Sequence, residues 1–163
     1  MAENDIEIER KFLVGGDFSG DVLAAVPIKQ GYLCCDAVRT VRVRLRGDKG
    51  FITVKGRPEE GHLARYEWEK EISAADAENL LKLAVPGMID KTRYLVPGPD
   101  GHMWEVDEFH GANEGLLLAE VEMRSEGEQV ELPSWVGKEV TDDHRFYNSH
   151  LCAHPFEIWK NEI

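Results

Sequence analysis

Ile6-Glu7-Ile8-Glu9-Arg10-Lys11-Phe12-Leu13-Val14 is the stretch on which the reading of the chain turns. Side chains of a strand alternate between two faces, so Glu7, Glu9 and Lys11 share one face and Ile6, Ile8 and Phe12 the other. A face carrying two carboxylates and an ammonium in a row is either solvated or built to hold ions. Further segments repeat the pattern. Val41, Val43 and Leu45 alternate with Arg42, Arg44 and Arg46. After the turn Gly47-Asp48-Lys49-Gly50, Thr53, Lys55 and Arg57 oppose Ile52 and Val54. Glu67, Glu69 and Glu71 stand opposite Trp68 and Ile72, and Lys91 shares a face with Arg93. Glu105 and Asp107 oppose Trp104 and Val106. Glu120, Glu122 and Arg124 alternate with Ala119, Val121 and Met123.

These segments predict eight strands, over residues 6–14, 28–35, 38–46, 51–57, 64–72, 88–96, 102–110 and 116–125. Tight turns such as Pro97-Gly98-Pro99-Asp100-Gly101 join them. Helices are few. Ser19 starts a short one that ends before Pro27, and Ser73 caps a clearer one with Leu80, Leu81 and Leu83 on its apolar stripe. Thr141 caps a third that runs to about Cys152, with one more turn over 156–160 after Pro155. The expectation is a single antiparallel α+β domain over residues 1–163.

The chain has 163 residues, 42% apolar and 31% charged, enough to bury a sizeable core. No apolar run approaches the ~18 residues of a membrane helix, and the acidic N-terminus lacks a secretory signal. Three cysteines, Cys34, Cys35 and Cys152, make no disulfide framework. Free thiols in a reducing cytoplasm are the simplest reading. A net charge of −12 argues against a nucleic-acid binder. Between Arg39 and Arg57, however, seven bases face one acid, Asp48, so that segment carries +6 and the remainder −18. A concentrated cationic element in an acidic protein points to a defined anion site.

Two architectures fit the charged faces. In one, the apolar face packs on helices and the charged face meets solvent. In the other, the sheet closes into an eight-stranded barrel with charges inside and apolar side chains outside, under the helices. Burying many ions costs several kcal/mol each unless they are paired or hydrated. A wet tunnel in which Arg and Lys face Glu and Asp meets that condition. It suits a polyanionic phosphate chain, held by Arg and Lys, together with a hard divalent cation held by carboxylates.

Glu7-Ile8-Glu9-Arg10-Lys11 resembles the E-x-E-x-K signature of the CYTH superfamily, the triphosphate tunnel metalloenzymes. The likeness continues through Gln30-Gly31-Tyr32-Leu33, Val43-Arg44-Leu45-Arg46, Thr53-Val54-Lys55, Lys91-Thr92-Arg93-Tyr94, Glu105-Val106-Asp107 and Ala119-Glu120-Val121-Glu122. It closes with Val140-Thr141-Asp142 and Arg145-Phe146-Tyr147-Asn148. Order and spacing resemble the short bacterial members. The resemblance implies an eight-stranded antiparallel tunnel and hydrolysis of a triphosphate, commonly inorganic tripolyphosphate, with Mg²⁺ or Mn²⁺. It places Glu7, Glu9, Glu120 and Glu122 on the metal, and with Lys11 makes them the catalytic set. Lys11, Arg44, Arg46, Lys55, Lys91 and Arg93 become the substrate-binding rows, Glu105 and Asp107 further inward acids, and Arg145 a residue closing over the phosphates. Arg42, where relatives often carry an acid or a neutral residue, and His144 and Tyr147, where bases are common, depart from the pattern.

Other functions remain open at this level. The same tunnel suits cyclisation of ATP to cyclic AMP, as in class IV-type adenylate cyclases, or hydrolysis of thiamine or nucleoside triphosphates. A non-catalytic polyphosphate-binding module is a further alternative. Expected partners are a small polyphosphate and neither nucleic acid nor membrane; a homodimer is compatible with the sequence, which does not report oligomeric state. Tyr32 either gates the tunnel or packs. Glu67, Glu69 and Glu71 are tunnel acids or a solvated edge. His150 and His154 have the i, i+4 spacing of metal ligands, but Pro155 breaks the helix there and no third ligand is evident.

Overall fold

Backbone pairing joins the alternating segments into one antiparallel sheet. The computed structural model describes residues 6–163. Its strands are β1 (Ile6–Glu7), β2 (Glu9–Val14), β3 (Ala24–Cys35), β4 (Arg39–Arg46), β5 (Lys49–Gly56) and β6 (Arg65–Ile72). After helix α1 (Ala74–Leu81) come β7 (Met88–Pro97), β8 (Met103–Phe109), β9 (Leu117–Glu122) and β10 (Val136–Glu139). The chain ends in helices α2 (Asn148–Ala153) and α3 (Phe156–Trp159). The spatial order is β1-β6-β5-β4-β3-β7-β8-β9-β2-β10.

This corrects the expected closed eight-stranded barrel: among the described residues the sheet has ten strands and its ladder does not close. The opening segment breaks at Ile8. Ile6 and Glu7 pair with Tyr66 and Arg65 of β6, whereas Glu9 to Leu13 pair with Glu122 to Leu118 of β9. The two flanks of the sheet therefore meet along one stretch of chain, staggered upon it. The tenth strand, β10, escaped the reading because Val136-Gly137-Lys138-Glu139 lacks the alternation.

Turn chemistry sets the hairpin between β4 and β5. Arg46 pairs with Lys49, and Gly47 takes φ +59°, a conformation open to a residue without Cβ. Gly50 serves α1: a Cβ there would lie 2.7 Å from both the Ala77 Cβ and the Ser73 carbonyl oxygen. The Ser73 hydroxyl caps α1 by accepting from the Asp76 N–H at 3.0 Å, as expected.

Apolar side chains build the core in three parts, two on the outer face and a third on the inner face, continuing the rows of Lys91, Asp107 and Glu120. α1 lays Ala77 and Leu81 on Val43, Leu33, Leu45 and Ile72. Phe12, Trp104, Val106, Val121 and Trp135 form a second cluster, with the Trp104 and Trp135 rings edge-on at 5.7 Å. Ile89, Phe109, Leu118, Phe146, Leu151, Phe156 and Trp159 form the third, under the C-terminal helices. Each such buried side chain contributes roughly 1.5–3 kcal/mol.

The C-terminal helix is shorter than expected. A 3₁₀ turn over His144–Phe146 precedes α2, and Thr141 caps neither. Its hydroxyl accepts from the Lys11 N–H at 3.1 Å and donates to Glu139 at 2.6 Å, which ties β10 to β2. The expected helix at Ser19 is a single 3₁₀ turn. Pro27 lies inside β3, beyond the β4 ladder that starts at Ile28, so its missing N–H falls where no partner strand is present. Cys34, Cys35 and Cys152 are free thiols. Among the described residues no helix is long and apolar enough to cross a membrane.

Candidate active site

The inner face of the sheet surrounds a cavity of 330 Å³. β1 and β2 bring Glu7, Glu9 and Lys11; β3 brings Tyr32; β4 brings Arg42, Arg44 and Arg46; and β5 brings Lys55. Lys91 and Arg93 enter from β7, Glu105 from β8, and Glu120 and Glu122 from β9. All thirteen were named from the sequence. Period-two alternation suffices for this, because once the sheet curves every second residue of each strand points inward. Asp107 sits in the wall behind the lining, where it binds Lys91 and Arg93. Arg145 does not line this cavity. It pairs with Asp143 at 2.7 Å, stacks its guanidinium on Phe146 and Trp159, and lines a separate groove with Lys138, His144 and His150.

Several lining residues went unread. Arg65 donates to Glu7 at 3.0 Å and lies 3.7 Å from Glu9. Its signal was available, since it shares parity with Glu67 and Glu69, which also line the cavity, while Glu71, further along the same face, lies outside the lining. Ser149 joins Tyr147 and Asn148, which the family resemblance already covered, in closing one end from the start of α2, and Pro58, His62 and Leu63 stand at another edge. Nothing local to the loop over 58–63 announces it.

The wall is a network of ion pairs. Lys55 donates to both Glu7 oxygens at 2.9 and 3.0 Å. Burial alone would raise the Glu7 carboxyl, but Lys55, a hydrogen bond with Glu67 and Arg65 outweigh it and hold it well below the usual range. Glu120 lies opposite both Lys11 and Glu105; burial raises it, yet Lys11, Arg93 and Lys91 keep it strongly depressed. Lys11 donates to the Phe146 carbonyl at 3.1 Å and approaches Glu120 at 3.5 Å. Asp107 accepts from Lys91 at 2.7 Å and from Arg93 at 2.8 and 2.9 Å. Against burial, Arg93 and Lys91 hold its carboxyl at about 2.

Two parts of the network are unbalanced. Arg44 is buried and donates to a neutral partner, Gln30, at 3.0 Å; among the described residues no carboxylate lies within ion-pair distance of it. Burial, then Arg42 and Arg93, lower its pKa to about 9. Arg42 has a buried Nε with no partner. The second imbalance is acidic. Glu9 and Glu122 stand directly opposite one another, a like-charge arrangement that destabilises a sheet. Burial, then Glu120 and Glu7, push the Glu9 carboxyl up to about 8, and Glu122 is raised too, by burial and then Glu7.

A divalent cation between these carboxylates would replace the proton that crowding forces onto Glu9, so the donor set fits a hard metal ion. Among the described residues no three His, Cys, Asp or Glu side chains enclose a metal by themselves. Water and substrate oxygens would complete the shell, as they do for ions that keep much of their hydration.

Fold and site together define an antiparallel-sheet protein built around an ionic cavity with a buried cation, Arg44, that has only a neutral partner. The CYTH domain profile matches residues 5–148, and the chain belongs to that family. It is 42% identical over 155 residues to an inorganic triphosphatase of Acetivibrio thermocellus, covering 94% of this chain and 97% of the relative. An inorganic triphosphatase of Nitrosomonas europaea is 41% identical over 150 residues, covering 90% and 96%. A crystal structure of an inorganic triphosphatase superposes with a TM-score of 0.65 at 37% identity, over 90% of this chain and 93% of that one. A Pyrococcus horikoshii protein shares the fold at a TM-score of 0.55 and 21% identity, over 72% and 77%.

Proposed function

We propose that the protein is a divalent-metal-dependent inorganic triphosphatase, converting tripolyphosphate to pyrophosphate and phosphate. The observation that carries this reading is an uncompensated cation: Arg44, bonded to Gln30 and with no carboxylate within ion-pair distance among the described residues, faces the cavity beside Arg42, whose Nε is orphaned although its Nη2 lies 3.7 Å from Glu69. A polyphosphate supplies the missing anion. Two relatives more than 40% identical over nearly the whole chain carry the same activity in their names.

Phosphoryl transfer needs charge neutralisation and in-line positioning more than covalent help. Lys11, Arg44, Arg46, Lys55, Lys91 and Arg93, joined by Arg42, clamp the phosphate chain. Asp107 fixes Lys91 and Arg93, and Arg65 fixes Glu7, so their charges are preorganised and need not reorient as the reaction proceeds. Glu7, Glu9, Glu120 and Glu122 would hold the metal. Mg²⁺ or Mn²⁺ supplies neutralisation of the phosphate oxygens when bound. Glu122, which faces the cavity and among the described residues has no cation bonded to it, orients the attacking water. Arg145, engaged by Asp143, stands outside the clamp.

The test is release of phosphate from tripolyphosphate, ATP, thiamine triphosphate and pyrophosphate with Mg²⁺, Mn²⁺ or Ca²⁺, with cyclic AMP followed in parallel. Tripolyphosphate is the preferred substrate. Glu120→Ala and Lys11→Ala each lower its turnover by roughly 10²–10³, the range for loss of one preorganised charge-stabilising contact. Wild-type turnover in either variant refutes the assignment.

A further inference from the structure

The sheet does not ladder shut where β6 and β9 flank the opening segment; inside the cavity Arg65 reaches Glu9 across that seam, and outside it Glu126 spans the gap. Glu126, in the turn after β9, accepts at Oε1 from the Leu63 N–H at 2.7 Å and the Ala64 N–H at 3.1 Å. Its Oε2 lies 3.2 Å from His62 Nδ1. The loop it grips leads straight into Arg65 and presents Pro58, His62 and Leu63 to the cavity. This end also bears Thr40 and Lys55, which pair across β4 and β5, and the Glu7–Arg65 contact. The gripping turn is itself braced: Glu128 accepts from the Arg124 N–H at 2.6 Å and lies 3.3 Å from His102 Nε2. His102 and Glu131 are tied in turn to Asp100.

We propose that Glu126 is a positioning residue for substrate specificity: by latching residues 62–64 across the seam, it holds Pro58, His62 and Leu63 over one end of the cavity and excludes the nucleoside of a nucleotide. The proposal rests on the triphosphatase reading of the cavity. Tripolyphosphate carries charge along its whole length and is met by charge throughout. ATP brings the same three phosphates joined to a bulky nucleoside, which must leave the cavity through an end. The backbone N–H groups of Leu63 and Ala64, together with His62, hold the Glu126 carboxyl below its usual range, so the latch stays anionic and keeps its charge-assisted bonds at neutral pH. Glu126 lies outside the cavity lining, and it acts only through the loop.

Two variants and two readouts test this. In Glu126→Ala the ratio of kcat/KM for ATP to that for tripolyphosphate rises by about tenfold, the factor corresponding to ~1.4 kcal/mol, while kcat for tripolyphosphate stays at the wild-type value. Glu126→Gln, whose amide oxygen still accepts from Leu63 and Ala64, keeps the wild-type ratio. An unchanged ratio in the alanine variant, or an equal rise in both variants, overturns the proposal. Hydrogen exchange at the Leu63 and Ala64 amides reads the latch without turnover. They are protected in the wild type and exchange freely in Glu126→Ala; fast exchange in the wild type overturns the latch whatever the kinetics show. A wild type with protected amides and no activity toward any triphosphate refutes the triphosphatase reading, and the specificity role with it, while the latch contact stands.

Discussion

Asp107→Ala removes a carboxylate that Lys91 and Arg93 share at side-chain exposures of 1% for Lys91 and 2% for Asp107. Three hydrogen bonds of 2.7–2.9 Å go with it. Breaking a buried ion pair from one side costs about 3–5 kcal/mol, because the remaining charge stays buried without compensation. Here the lower end applies: Lys91 retains Asn148 at 3.0 Å and Arg93 retains Glu105 at 2.8 Å. A loss of about 3 kcal/mol in a chain of this length lowers Tm by roughly 6–12 °C. Asp107→Asn, which keeps the shape and one acceptor oxygen, loses less. The cations freed in the alanine variant face the cavity, so tripolyphosphate restores stability to it. A ligand at a hundred times its Kd adds about 2.7 kcal/mol, and at equal concentration the variant gains more than the wild type, since its site has lost a competing anion. Thermal unfolding of both proteins, with and without tripolyphosphate and without metal, measures this. A Tm loss below about 3 °C, or a smaller ligand increment in the variant than in the wild type, refutes the reasoning.

Glu9 gives the pH dependence its sign. Its folded pKa of about 8 lies above the ordinary 4.5, so between these values the folded state holds a proton that the unfolded chain has released. Stability of the metal-free protein therefore falls as pH rises through that window, with Glu9 contributing up to ~1.4 kcal/mol per pH unit. Glu67, pushed up to about 7 by burial and then by Glu7, adds a fall of the same sign. Glu9→Gln flattens the slope, as measured by urea unfolding at pH 5, 6, 7 and 8; an undiminished slope contradicts the crowding of Glu9, Glu120 and Glu122. Arg44→Met separates stability from binding. The free protein becomes more stable, because a buried charge with a neutral partner is gone, whereas KM for tripolyphosphate rises by roughly 10- to 100-fold, the size of a charged hydrogen bond. Equal signs for the two effects, in unfolding and steady-state assays, would sink the idea that Arg44 is held in reserve for an anion.

Much of the site was legible because strand alternation is local. Glu7, Glu9 and Lys11 share a face through backbone geometry alone, as do Arg42, Arg44 and Arg46 or Glu120 and Glu122, whatever the rest of the chain does. Arg65 was legible by the same parity and went unused. Arg145 was set over the phosphates by the family resemblance and not by alternation, since it lies in a 3₁₀ turn where period two has no meaning; it bonds Asp143 outside the cavity lining. The expected helix at Thr141 failed for a related reason. A hydroxyl that suits an N-cap in isolation is taken up by Glu139 and the Lys11 backbone once β10 lies beside β2.

The amino-acid order thus specified the strands, their charged faces and nearly all of the ions that meet in the cavity. It left undecided whether those faces look outward or inward, since a solvated sheet and a curled one share the same alternation. Curvature decided that, with α1 and the Trp104 cluster covering the outer apolar side and α2 and α3 covering the apolar part of the inner face. Register decided which charges meet: Glu9 opposite Glu122 and Lys11 opposite Glu120 are long-range alignments that hydrogen-bond ladders impose. So is the seam at Ile8, where one short segment serves both flanks and leaves Glu126 to span the gap. Such pairings have no local signal, because the free energy that selects them is shared across strands far apart in the chain.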